Sequence, residues 1–188
     1  MSTSQWDLAF SLLDGGLDLE PSLVQWCMNE ILTGSADIEL IKRFLIALKN
    51  KGETSDEVGA LVSQMYLHCA PISISQRAVD TVGTGGDGAH TINISTTAAI
   101  IAAAAGAKVV KHGNRAASSA SGSSDVLSEL GINLTLTNTQ VAEVLEKVGI
   151  TFAYAAAFHP GFRHVAEARR DLGVPTIFNI LGPLCNPA

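Results

Sequence analysis

Charged side chains are scarce in this sequence: Asp, Glu, Lys and Arg make up 16% of its 188 residues, against 47% apolar ones. That balance excludes a disordered chain, which lacks the apolar surface needed to offset the entropy of ordering. Basic residues are the scarcer sign, 12 against 18 acidic, for a net charge of −6. A protein that coats nucleic acid is therefore not expected, because affinity for the phosphate backbone comes mainly from clustered Lys and Arg. Cysteine occurs only as Cys27, Cys69 and Cys185, far apart and with no C-x-x-C pair. Neither a disulfide framework nor a zinc site is suggested, which fits a reducing compartment. Long apolar runs are missing too. The longest, Ala98 to Ala107, is too short to span a bilayer, and residues 1 to 13 carry no basic stretch followed by an unbroken apolar run. The expectation is a cytoplasmic protein without membrane association, long enough for one good-sized core or for a small domain joined to part of a second.

What is present first is helical periodicity. Trp6, Ala9, Phe10 and Leu13 share one face before Gly15-Gly16, and a second helix opens near Asp18 with Pro21 in its first turn. It carries Leu23, Val24, Cys27, Met28 and Ile31 toward a C-cap at Gly34. A third runs from about Asp37, with Ile38, Ile41, Leu45 and Leu48 on one stripe, and stops at Lys49-Asn50-Lys51-Gly52. Thr54 with Glu57 matches a capping box and opens a fourth helix at Ser55. Met28, Met65, Trp26 and Tyr66 stand at helical spacing and read as core or a packing seam before they read as a ligand surface. A leftover apolar face of such a bundle could serve a dimer.

Residues 70 to 78 break the period with proline and short polar residues, placing a domain join there: residues 1–75 form a helical domain and 76–188 an α/β domain. Beyond Val79, strands expected at Ala107–Val110, Ile132–Leu136 and Thr151–Tyr154 alternate with helices expected at Ser95–Ala105, Ser121–Leu130 and Thr139–Val148. Such alternation implies mostly parallel strands.

The residues with chemistry lie between Asp80 and Asp125. Gly83-Thr84-Gly85-Gly86-Asp87-Gly88 follows an expected strand, at the end where open α/β sheets bind ligands, and consecutive glycines let backbone N–H groups converge on an anion. Two familiar loops are excluded. The G-x-G-x-x-G spacing is met, but Lys108 to His112 stand where a ribose-binding acid belongs, and Ala89-His90 stand where a P-loop needs Lys and a hydroxyl residue. Asp87 either closes an Asx-turn or meets phosphate through a divalent cation and its waters. Ser95, with Asn93 and Thr96 beside it, is placed as N-cap of an alanine-rich helix, whose N-terminus attracts anions.

A second cluster follows the next expected strand. Lys111-His112-Gly113-Asn114-Arg115 brings two cations, and Ser118, Ser119, Ser121, Ser123 and Ser124 bring hydroxyls at another helix start. Two anion cradles on adjacent strand ends suit a ligand phosphorylated at both ends.

The motifs G-T-G-G-D, N-I-S-T and K-H-G-N-R, with the later H-P-G-F-R and N-I-L-G-P-L-C-N-P, resemble the anthranilate phosphoribosyltransferases of tryptophan biosynthesis, as does the helical opening with K-G-E-T. The resemblance implies a fold of the nucleoside phosphorylase/phosphoribosyltransferase type, and transfer of phosphoribose from phosphoribosyl diphosphate (PRPP) to the amine of anthranilate, releasing pyrophosphate. It implies Mg2+, with Ser95 as a metal contact. It carries PRPP binding onto Gly83, Gly86, Asp87, Thr91, Asn93, Ile94, Ser95 and Thr96, and onto Lys111, His112, Gly113, Asn114, Arg115, Ala116, Ala117, Ser118, Ser119 and Ser123. Anthranilate falls to Gly83, Asn114 and Arg169, with Gly182-Pro183 walling its ring. Residues 159–180 are implied to pack with the helical domain, so that the acceptor binds between domains, and the bundle is implied to form a homodimer. No acid–base residue is assigned, since a ribosyl cation with pyrophosphate leaving asks mainly for charge stabilisation and alignment.

Family members continue past the G-P-L-x-N-P motif, where they carry an adjacent Asp-Glu pair for magnesium. The α/β domain is therefore expected to be truncated, with uncovered apolar surface that favours self-association and with weak or no activity of its own. Two alternatives stand beside this reading: a pyrimidine nucleoside phosphorylase, disfavoured by K-H-G-N-R, and a non-enzymatic nucleic-acid-binding paralogue, disfavoured by the net charge and by Asn114 and Arg169.

Overall fold

The structure, a computed structural model, describes residues 4–84, 92–114 and 122–188. In chain order its elements are α1 (Gln5–Asp14), α2 (Pro21–Thr33), α3 (Ile38–Lys51), α4 (Ser55–Leu67), α5 (Ile94–Ala104), β1 (Val109–Gly113), α6 (Ser123–Glu129), α7 (Asn138–Val148), β2 (Ile150–Tyr154), α8 (Ala155–Phe158), a 3₁₀ turn (Pro160–Phe162), α9 (Arg163–Leu172) and α10 (Ile177–Leu184). They divide into two compact units, Met1–His68 with Pro160–Cys185 and Cys69–His159 with Asn186–Ala188.

The first unit is a helical bundle whose helix ends follow from local chemistry. Ser4 caps α1 with Asp7 reciprocating, Pro21 opens α2, and Gly34 closes it at φ +78°. The Asp37 carboxylate accepts from the Leu40 N–H at 2.9 Å to start α3. Thr54 and Glu57 form the expected capping box of α4. Phe44, Met28, Ile31, Ile41, Leu45, Leu48, Leu61 and Met65 are fully buried, and α9 and α10 add Val165, Ala168, Ile177, Phe178 and Leu181 to the same core. Trp26 packs on this core and meets Trp6 edge-on at 5.4 Å, whereas Tyr66 is exposed and donates to the Leu184 carbonyl. Burial pushes the Cys27 thiol up to about 12, so it behaves as a small hydrophobe.

The second unit is built on a parallel pair, β1 with β2, in the register Val110↔Thr151, Lys111↔Phe152 and His112↔Ala153. Helix α7 ends at Gly149 in the left-handed region and feeds directly into β2, completing a crossover from β1. Val110 and Ala153 join Ile72, Val141, Leu145 and Phe158 in the core on one side. On the opposite pleat of β1 stands Lys111, and there a cavity of about 260 Å³ is lined by Thr96, Ala99, Lys111, Leu127 and Phe152, among others.

Three sequence expectations are corrected. No strand forms over residues 132–136: the Asn133 carboxamide accepts from both the N–H and the hydroxyl of Thr135, at 2.9 and 2.8 Å, and this local bonding competes with a sheet ladder. The strand expected to end at Val110 instead runs from Val109 to Gly113, because the polar Lys111 and His112 are buried in it. The segment before the glycine cluster is no full strand, since it touches β1 through one bridge, Val79↔Val109.

Candidate anion site at the end of β1

The parallel register carries Lys111 and His112 to the carboxyl end of β1, both 2% exposed. The Lys111 ammonium donates to the Thr81 carbonyl at 2.7 Å and to Ser95 Oγ at 3.3 Å. The Thr81 hydroxyl in turn donates to the Ser95 carbonyl at 2.8 Å. One cation thus joins the residues leading into the glycine cluster to the first turn of α5. Burial pushes the Lys111 ammonium below the usual lysine range, partly offset by the negative charge of Asp80. A dry ammonium that can accept an anionic partner is an effective phosphate anchor, since the partner's charge is little screened there.

Ser95 is not the N-cap of α5. Asn93 holds that position, with no side-chain bond to the helix backbone, and its carboxamide accepts from the Thr96 hydroxyl at 2.6 Å. The helix begins one residue before Ser95, which frees Ser95 Oγ to meet Lys111. Farther along, Ser124 N–H donates to the Asn114 carbonyl at 3.4 Å, bringing the start of α6 beside the end of β1. Gly113 is held close: a Cβ there would lie 3.2 Å from Ser123 Cβ and from the Phe152 ring.

The structure therefore brings Ser95, Lys111, His112, Gly113, Asn114 and Ser123 into one neighbourhood, with Asn93, Ile94 and Thr96 in the first turn of α5. Gly83, the first residue of the glycine cluster, is exposed. Gly86, Asp87, Thr91, Arg115, Ala116, Ala117, Ser118 and Ser119 lie outside the described residues. Arg169, in the helical unit, is half-buried on α9; its guanidinium reaches Asn179 Oδ1 at 3.5 Å and lies 5.7 Å from the Phe178 ring centre. Burial pushes it below the usual arginine range, though it stays charged.

Sequence reasoning named Asp80 only as the start of the central stretch and Asn186 only within a motif, yet both belong to this neighbourhood. Asp80 Oδ1 accepts the His112 N–H at 3.1 Å and Asp80 Oδ2 accepts from Asn186 Nδ2 at 2.8 Å. His159 was also missed as a neighbour; its buried ring lies 5.2 Å from that of His112. The usable signal was a lone carboxylate immediately before an apolar-to-glycine transition.

Magnesium can be weighed against these donors. The described residues hold no cluster of three or more His, Cys, Asp or Glu suited to a metal, and Ser95 Oγ already receives the Lys111 ammonium. Of the described residues Ser95 would be the contact for a magnesium ion, which would supply charge neutralisation beside an anionic ligand.

The sequence matches two family models. These are the glycosyl transferase family helical bundle domain over residues 8–69 and the a/b domain of the same family over residues 75–188; the chain belongs to that family. It is 55% identical over 186 residues to the anthranilate phosphoribosyltransferase of Leifsonia xyli subsp. xyli, covering 99% of this chain and 53% of that protein. The crystal structure of anthranilate phosphoribosyltransferase from Thermus thermophilus superposes with a TM-score of 0.89 at 42% identity, over 96% of this chain and 55% of that one. The Saccharomyces cerevisiae enzyme, solved in complex with PRPP and Mg, gives 0.76 at 30% identity, over 98% and 51%. The chain thus spans about half the length of the relatives it matches.

Proposed function

We propose that these residues bind PRPP for transfer of its phosphoribosyl group to the amine of anthranilate, with release of pyrophosphate. The observation that carries the proposal is the buried Lys111 ammonium set against Ser95 and Thr81 at the end of β1, in a chain 55% identical to an enzyme of that name. Lys111 pairs with the diphosphate, while Gly83, Gly86, Asp87, Thr91, Asn93, Ile94, Ser95 and Thr96 surround it. His112, Gly113, Asn114, Arg115 to Ser119 and Ser123 take the rest of the donor. Arg169 suits the anthranilate carboxylate, because a planar guanidinium can bond both oxygens at once.

In the reaction the bond from ribose C1 to the diphosphate oxygen breaks and its electron pair leaves with pyrophosphate. The amine nitrogen bonds C1 and then releases a proton. Lys111 lowers the barrier by holding the charge that develops on the leaving group. Magnesium, when bound with the diphosphate, supplies further neutralisation of that charge.

The same reading carries a cytoplasmic location and a homodimer through the helical unit. Leu8, Leu17 and Leu67 are exposed on that unit and support such an interface. No helix among the described residues is long and apolar enough to cross a membrane. Neither alternative, the phosphorylase nor the nucleic-acid-binding paralogue, is supported by these relatives.

Calorimetric titration with PRPP in magnesium buffer tests the donor site, and loss of anthranilate fluorescence tests transfer. Saturable PRPP binding is expected; a chain that binds neither PRPP nor pyrophosphate refutes the assignment.

A further inference from the structure

Segment 79–84 presents the Thr81 carbonyl to Lys111 but has only one bridge to β1, at Val79↔Val109. Side chains supply what the ladder lacks. The Asn186 amide donates to Asp80 Oδ2 at 2.8 Å and to the Val110 carbonyl at 2.9 Å, and its own oxygen accepts the Ala188 N–H at 3.0 Å. Asp80 Oδ1 meanwhile takes the His112 N–H at 3.1 Å. The backbone beside Asn186 is fixed as well, because the Pro187 carbonyl accepts the Ile72 N–H at 2.8 Å.

We infer that Asn186 is a positioning residue for Lys111, acting through Asp80: it clasps segment 79–84 to β1 so that the Thr81 carbonyl and the Lys111 ammonium stay in register. The inference rests on the assignment of Lys111 to the diphosphate. Both amide hydrogens of Asn186 are committed, one to each side of the gap between Asp80 and β1, and an amide is the side chain that can give two hydrogens from one atom. Without it, a carboxylate oxygen and a strand carbonyl lose their donor, and segment 79–84 is tied to β1 by the Val79 backbone bonds, the Asp80–His112 bond and the Lys111–Thr81 bond itself, with Thr81 also bonded to Ser95. Lys111 then loses a fixed acceptor in a site where an unpaired ammonium is costly. Stability and ligand affinity separate on this account, since folding draws on the apolar core around Val110, Val141 and Leu145 while the anion depends on where one nitrogen points.

The test uses the full 188-residue chain and its Asn186→Ala variant. Inorganic pyrophosphate in magnesium buffer is titrated calorimetrically, thermal unfolding is followed by circular dichroism, and the Lys111 side-chain ammonium is observed by proton–nitrogen NMR. The expected result is binding weakened by about tenfold or more, the order of one lost bond to a charged group. It comes with a shifted or broadened Lys111 signal and a folded variant. Unchanged affinity with an unchanged Lys111 signal overturns the inference. If Asn186→Ala does not fold, Asn186→Ser is measured instead, and a smaller change in the same direction is expected. If the parent chain binds no pyrophosphate, the diphosphate assignment fails, and the Lys111 signal alone decides whether Asn186 positions that ammonium.

Discussion

Lys51 donates to Glu57 across 2.7 Å within the helical unit, and Glu57 has no solvent exposure. The carboxylate is fully committed: Oε1 accepts the Leu19 N–H at 2.9 Å, and Oε2 accepts the Thr54 N–H at 2.8 Å as well as Lys51. Lys51 also reaches Asp18 at 2.8 Å. Glu57 is thus a buried polar hub that, through Lys51 and Thr54 of the K-G-E-T stretch, joins the end of α3 and the start of α4 to the segment before α2. Burial alone raises the Glu57 pKa, yet the donors from Leu19, Lys51 and Thr54 outweigh it and hold the carboxyl below its usual range. For Lys51, burial lowers the pKa, and the bonds to Asp18 and Glu57 more than reverse it.

The pH dependence of stability follows in sign. The folded pKa of Glu57 lies below an unfolded value of about 4.3, so its contribution is present above that pH and is lost as pH falls through the folded value. Lys51 is the mirror case: its contribution is complete below about 10.4 and fades as pH rises through its higher folded value. Glu57→Gln should flatten the acid limb of a urea-midpoint series. It should also cost about 3 kcal/mol near neutrality, because Lys51 is left without its buried partner. A variant as stable as the parent, with the same acid limb, would show that the hub is incidental.

Gly161 of the H-P-G-F-R motif is required by space. A Cβ at this position would stand 2.9 Å from the Leu32 carbonyl oxygen, a backbone atom that cannot swing aside. Gly161→Ala should therefore destabilise by about 1–3 kcal/mol, read as a lower denaturant midpoint with unchanged slope. Gly59→Ala, in α4 where an added Cβ meets nothing within 4 Å, should instead stabilise by about 0.5–1 kcal/mol. Equal effects at the two positions would contradict this account.

Lys111→Met separates ligand binding from folding. The methionine keeps most of the buried stem while removing a charge that burial disfavours, so stability should hold or rise. Pyrophosphate affinity should fall by about tenfold or more, since the charged bond to the anion is gone. Retained affinity would move the anion away from β1.

The helical bundle was legible in the sequence because its signals are local. Thr54 with Glu57, Pro21 and Gly34 mark helix ends through their immediate neighbours, and the apolar stripes follow from one helical period. The α/β unit was less so. Its strand ends depend on pairing between residues far apart, so buried Lys111 and His112 looked like loop, and Asn133 diverted a segment with strand-like alternation into local bonds. For the anion site the sequence offered residue types, glycines, hydroxyls and a lysine, but not the supports around Lys111. Asp80 and Asn186 are separated by 106 positions, and no periodicity connects them.

The α/β unit also leaves apolar side chains in solvent. Ile101 is 63% exposed and Val148 67%, and the partly exposed Ile100, Ile132 and Val148 line one cavity. A patch of this kind favours association. Sedimentation should therefore show reversible self-association that grows with concentration. Ile101→Asp and Val148→Asp should reduce it at little cost to stability, within about 0.5 kcal/mol, because both side chains are already largely in water. The helical unit offers a competing surface at Leu67, 74% exposed. If the Asp variants leave association untouched while Leu67→Asp abolishes it, the bundle carries the contact and the patch on the α/β unit does not. If no variant matters and the chain stays monomeric at every concentration, neither apolar face is an interface for a second copy.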